Sequence, residues 1–172
     1  MSDVKRGLLF AMALAALASC ADRDVTVSQP GFYRNLTQGG ELDAKAAEAM
    51  ISNYRTNNGL PAVTLDPLLT KLAEAQARAM AEHNKLDHNV IGSFDSRIKK
   101  SGLDAGAAAE NISAGYHTMA EAFSGWRDST HHRANMLLKG ATRMGIAAVH
   151  APGTKYKVFW ALVLAAPDNR RG

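Results

Sequence analysis

Cys20 is the only cysteine in a chain of 172 residues. No disulfide can close within one copy, so whatever folds here must be held by its apolar core. The roughly 150 residues that follow Cys20 are enough to bury such a core without staples. Apolar residues make up 47% and charged residues 21% of the chain, close to an ordinary globular domain, and one domain is expected. The formal charge of +4 is scattered. There is no run of Lys or Arg and no aromatic interleaving, which excludes a nucleic-acid track and a nucleic-acid partner.

Lys5 and Arg6 precede an apolar run from Gly7 to Ala16, too short to span a bilayer and the length of an export-signal core. The run ends in Leu17-Ala18-Ser19-Cys20, which resembles the lipobox of bacterial lipoproteins. That resemblance implies a signal peptide over 1–19, cleavage before Cys20 and a diacylglyceryl group on its thiol. The alternative is an ordinary signal peptide with an incidental cysteine. Acylation accounts for a spare thiol in an exported chain, and two or three acyl chains anchor stably because each buried methylene contributes about 0.8 kcal/mol. The expected partner is a membrane of the bacterial cell envelope, outer or cytoplasmic, reached through the lipid on Cys20.

Residues 20–40 contain Pro30, several Gly and no sustained period, and read as a flexible tether; the domain is drawn over 41–167, with a loose tail at 168–172. Leu42, Ala46, Ala49, Met50 and Tyr54 recur at helical spacing until Asn57-Asn58-Gly59 stops them. Asp66-Pro67 is an N-cap with proline at the first helical position, and a stripe through Leu68, Leu69, Leu72, Ala73, Gln76, Ala79, Met80 and His83 follows. His88 then lies just past the helix end. A short helix is expected over 93–100, a small-residue loop over 102–109 leading into Glu110-Asn111, and a longer helix over 119–127. Met144, Ile146 and Ala148, then Tyr156, Val158, Trp160, Leu162 and Leu164, alternate on either side of Pro152-Gly153 and predict a β-hairpin. The fold class is α+β, helices layered on strands.

Six histidines, at 83, 88, 117, 131, 132 and 150, could ligate a metal or move protons near neutral pH. No HExxH, CxxC or HxH spacing is present, so any site must be assembled from distant segments. Ser129 near His132 invites a nucleophile reading, but no GxSxG elbow accompanies it.

Ala109-Glu110-Asn111-Ile112, then Trp126-Arg127-Asp128-Ser129, then His132-Arg133-Ala134-Asn135-Met136-Leu137 closely resemble the core of the CAP superfamily, the SCP-like or PR-1-like domains. Tyr54-Arg55 with Asn58-Gly59-Leu60-Pro61, and Met144-Gly145-Ile146 with the Tyr156–Trp160 stretch, extend the likeness over about residues 42–166. The resemblance implies a three-layer α-β-α sandwich and a cleft with two histidines and two acids, carried over here as His88, Glu110, Glu121 and His132. Asn111, Ser129 and Asn135 would support them. On that basis His88 and His132 could hold a divalent ion such as Zn with the carboxylates orienting the rings, or all four could share protons with no metal. Glu121 could equally be a first-turn helix carboxylate. His131 stands where relatives usually have Gly, and Ala161-Leu162 where they often have Thr-Gln. Three functions follow: a binding module for a small hydrophobic, lipid-like or peptide ligand; a hydrolase on peptide or cell-wall substrates, with Glu110 or His132 as base; or a structural envelope protein.

Overall fold

The computed structural model describes residues 29–168. The expected signal peptide, Cys20 and nearly all of the expected tail lie outside the described residues. Five α-helices and four strands follow one another among them: α1 Ala44–Asn57, β1 Thr64–Leu65, α2 Pro67–Glu82, α3 Phe94–Ser101, β2 Ala107–Ala114, α4 Met119–Asp128, α5 Thr130–Met136, β3 Arg143–Ala151 and β4 Lys157–Ala166. The strands form one mixed sheet in the order β1-β3-β4-β2, with β1 parallel to β3 and the other pairs antiparallel.

The helices form where their ends can be capped. Asp43 accepts from the Ala46 amide at 2.9 Å, and Asp66 accepts from Leu68 and Leu69 at 2.8 and 3.0 Å ahead of Pro67, satisfying amides that have no partner inside the helix. The hairpin expected from alternation is β3–β4. Alternation marked only one of its buried faces, because β4 is central and both faces are covered. Val158, Trp160, Leu162 and Leu164 pack with α1, α4 and α5; Phe159, Ala161, Val163 and Ala165 pack with Leu69, Ala73, Ala77 and Met80 of α2. Helix, sheet and helix thus make three layers. At Gly145 a Cβ would sit 2.1 Å from the Leu69 carbonyl carbon, so a glycine is what lets α2 lie this close to β3.

Two expectations are corrected. Glu110 and Asn111 lie on a strand, β2, and not at the end of a loop: Ala107 to Ala114 pair residue by residue with Ala166 to Phe159. Alanines have little strand preference of their own, so the partner strand imposes the conformation. Part of the tether belongs to the domain, since Gly31–Tyr33 and Leu36–Gln38 form 3-10 turns and Leu36 is buried in the α1-side core. The residues after Ser129, to which the sequence pattern assigned no element, form a separate helix, α5.

α1 also differs from its sequence pattern. Ala47, Ile51 and Arg55 are its fully buried positions, whereas the stripe through Ala46, Ala49, Met50 and Tyr54 lines an open groove with Pro30, Phe32 and Phe123, a cavity of about 530 Å³. This helix therefore has two apolar faces, and only one is spent on the sheet.

Candidate functional site

The polar residues singled out in the sequence gather around β2, an edge strand of the sheet. Glu110 pairs with Val163 and Asn111 with Leu162, and side chains of directly paired residues share a face. Glu110 therefore points to the α2 and α3 side, Asn111 to the α5 side, and the site wraps around the strand's free edge.

On the first side, Glu110 is 4% exposed and its carboxylate is held in a fork. Arg97 of α3 donates from Nη1 to Oε2 at 2.8 Å and from Nη2 to Oε1 at 2.9 Å. His88 Nδ1 lies 2.8 Å from the same Oε1. Arg97 also donates to the carbonyls of His88 at 3.0 Å and Gly92 at 3.3 Å, tying down the loop that carries the histidine. Gln76, buried on α2, donates to the Asp87 carbonyl at 2.7 Å and fixes the same loop from beneath. His88 itself is half exposed.

On the second side, asparagines bolt α5 to β2. Asn111 Nδ2 donates to the His132 carbonyl at 2.9 Å; Asn135 Nδ2 donates to Asn111 Oδ1 at 2.9 Å and to the Glu110 carbonyl at 3.0 Å. The far end of α5 is held by Arg55, whose guanidinium donates to the carbonyls of Pro61, Met136, Leu138 and Ala141 at 2.8–3.0 Å. A cation at the last carbonyls of α5 also opposes the helix dipole. His132 is partly buried, and burial is the first cause holding its imidazole below the usual histidine range; the neighbouring His88 and His131 add to the effect. The two histidines carried over from distant segments are thus within electrostatic reach of one another.

Glu121 has another task. Its Oε2 accepts from the amides of His117 at 2.6 Å and Thr118 at 3.1 Å, and its own amide donates to Thr118 Oγ1 at 3.2 Å, a capping box at the start of α4. It is exposed and lines a different groove with Tyr33, Tyr116, Ser124 and Asp128. Ser129 stands at the junction of α4 and α5, where its side chain caps neither helix. His83, His131 and His150 are exposed.

The chemistry open to this arrangement is limited by Glu110. Three of the roughly four lone-pair sites of its carboxylate are taken, two on Oε1 by Arg97 and His88 and one on Oε2 by Arg97, so it is chiefly committed to these contacts. For zinc, the remaining donors are two imidazoles, and no group of three or more His, Cys, Asp or Glu that could hold a metal ion occurs among the described residues. A tight zinc site is ordinarily built on at least three protein ligands, so two imidazoles with water in the other positions would hold the ion weakly.

Arg97 and Arg55 escaped the sequence reading, although a signal existed for both. Each occupies an apolar stripe, Phe94, Arg97 and Ile98 on α3 and Ala47, Ile51 and Arg55 on α1. A cation in such a stripe must be buried and must find acceptors.

The model of the CAP, or cysteine-rich secretory protein, family matches residues 48–164. Among curated proteins the chain is similar to the uncharacterized protein YkwD of Bacillus subtilis, 32% identical over 99 residues, which are 56% of this chain and 38% of that protein. Its fold is similar to that of an extracellular protein containing an SCP domain from Bacillus anthracis, at a TM-score of 0.61 and 22% identity over 71% of this chain and 39% of the other. An outer surface protein of Borrelia burgdorferi superposes with a TM-score of 0.66 at 17% identity, over 73% of this chain and 93% of that one. The chain thus spans well under half the length of YkwD and of the Bacillus anthracis protein.

Proposed function

The chain belongs to the CAP, or cysteine-rich secretory protein, family, and from that premise we propose an exported binding module, tethered to the bacterial envelope by lipid on Cys20, whose ligand is a small hydrophobic or lipid-like molecule. The observation that carries this reading is the groove between α1, α4 and the Gly31–Tyr33 turn. Phe32, Met50, Tyr54 and Phe123 remain only partly buried around it, and Tyr54 and Phe123 meet edge to face with centroids 5.3 Å apart. A volume of about 530 Å³ lies within the range of small-molecule sites, and a mostly apolar wall with a few polar groups, here Asn53, Asn57 and Arg127, is their usual composition. A helix whose second apolar stripe packs against the core and still stays only partly buried has surface left for a ligand.

The clamped carboxylate of Glu110, with three hydrogen bonds from Arg97 and His88 and only 4% of the residue exposed, supports a structural role for that acid over one as a base. Export is supported by the sequence before Cys20 and by the extracellular and outer-surface descriptions of the two structural relatives.

The test is displacement of a fluorescent fatty acid from the full chain. Met50→Glu places a carboxylate without a partner on the apolar wall, and affinity should fall by roughly tenfold or more, while Glu110→Gln leaves uptake unchanged. The reading is sunk if the wild-type chain takes up no fatty acid, or if Met50→Glu binds it as well as wild type. The tether is checked separately: Cys20→Ser should move the protein from the membrane to the soluble fraction.

A further inference from the structure

We infer that Arg97 is a positioning residue for His88, one that fixes which ring nitrogen the histidine presents to a ligand. The inference rests on the fork geometry alone and is independent of the groove. An ionised carboxylate only accepts hydrogen bonds. Glu110 Oε1 accepts from Arg97 Nη2 at 2.9 Å and stands 2.8 Å from His88 Nδ1, so the hydrogen on that contact sits on Nδ1. In the neutral ring the other nitrogen, Nε2, then carries the lone pair. His88 is half exposed, and the end of the ring away from Glu110 is an acceptor, suited to a hydroxyl or amide N–H of a ligand and unsuited to a carbonyl.

Arg97 holds this state from three directions. Its two bonds to Glu110 fix the carboxylate plane, so that Oε1 faces the ring. Its bond to the His88 carbonyl at 3.0 Å fixes the backbone from which the ring projects. Its bond from Nε to the Gly92 carbonyl closes the loop, and the guanidinium lies over the Phe94 ring at 5.3 Å. Lysine, a point charge on a flexible stem, cannot serve two carboxylate oxygens and two carbonyls at once. The charge is kept in Arg97→Lys while the geometry is lost, which separates positioning from simple neutralisation.

The experiment is two-bond ¹H–¹⁵N correlation of the histidine rings in the full chain at about pH 8.5, where imidazoles are neutral. His88 in the wild-type protein should be the Nδ1–H form. In Arg97→Lys, with folding confirmed by far-UV circular dichroism, the ratio of Nδ1–H to Nε2–H should fall by roughly tenfold, the worth of one charge-assisted hydrogen bond. The ratio at His150, an exposed histidine on β3, should not move. An Nε2–H ring in the wild-type protein overturns the inference, as does a folded Arg97→Lys whose His88 ratio matches wild type. Should Arg97→Lys fail to fold, the wild-type spectrum and Glu110→Gln decide: a His88 ratio indifferent to Glu110→Gln overturns it as well.

Discussion

Two guanidinium groups are buried among the described residues, and their surroundings differ. Arg55 is fully buried on the α1 side of the sheet and gives its hydrogens to four backbone carbonyls. Arg97, buried on the α2 side, gives two of its four bonds to a carboxylate and two to carbonyls. Arg55 is answered by dipoles, among them the last carbonyl of α5 and two in the turn that follows it, and its work is to hold that end of the helix against the domain. Arg97 is answered by a full charge, and its work is to hold a side chain that faces His88. Burying a cation is thus solved twice, once for architecture and once for the site.

The comparison can be broken at its charged member first. Arg97→Met takes both guanidinium bonds from the buried Glu110 carboxylate and leaves it His88 alone, and should cost about 4 kcal/mol in urea unfolding, in the range for one half of a buried ion pair. Adding Glu110→Gln should return at least half of that loss. If it does not, the charge pairing is not what Arg97 contributes. Arg55→Met should cost somewhat less, roughly 3 kcal/mol, because carbonyls left without donors are neutral and some reach water. Here Glu110→Gln should give no rescue, and the two losses should simply add, since Arg55 and Glu110 share no partner; a rescue would mean that the two guanidiniums are coupled through α5.

The smallest effect lies at His132 and depends on pH. Burial disfavours its imidazolium, with His88 and His131 adding repulsion, so the unfolded chain binds that proton more readily than the folded one. Stability contributed here is full above about pH 6.5, the unfolded histidine value, and falls as acid is added below it. His132→Gln should flatten the wild-type loss of stability between about pH 6.5 and 5. A steeper loss in the variant would reverse the sign and place the repulsion elsewhere.

Much of the frame was legible in the residues. Asp66-Pro67 announced α2, alternation about Pro152-Gly153 announced the hairpin, and the segments around Glu110, Trp126 and His132 marked the family. The site was legible in part. His88, Glu110, His132, Asn111 and Asn135 are linked across β2 by hydrogen bonds and by field, whereas Glu121 is engaged in capping α4. That double meaning was already open in the sequence, because an acid three residues after a threonine serves a helix start as well as a cleft. The groove was present too, unrecognised, as the stripe through Met50 and Tyr54, which by itself marked only a helix.

What the sequence by itself determined is whatever depends on near neighbours: caps, turns, periodicity, and the necessity that a chain with one cysteine be held by its core. Only the tertiary structure decided which of the two apolar faces of α1 meets the sheet, that an alanine-rich segment becomes a strand, and that Arg97 closes on Glu110. Each of these depends on a partner more than ten residues away, and local propensities carry no information about the direction from which that partner arrives.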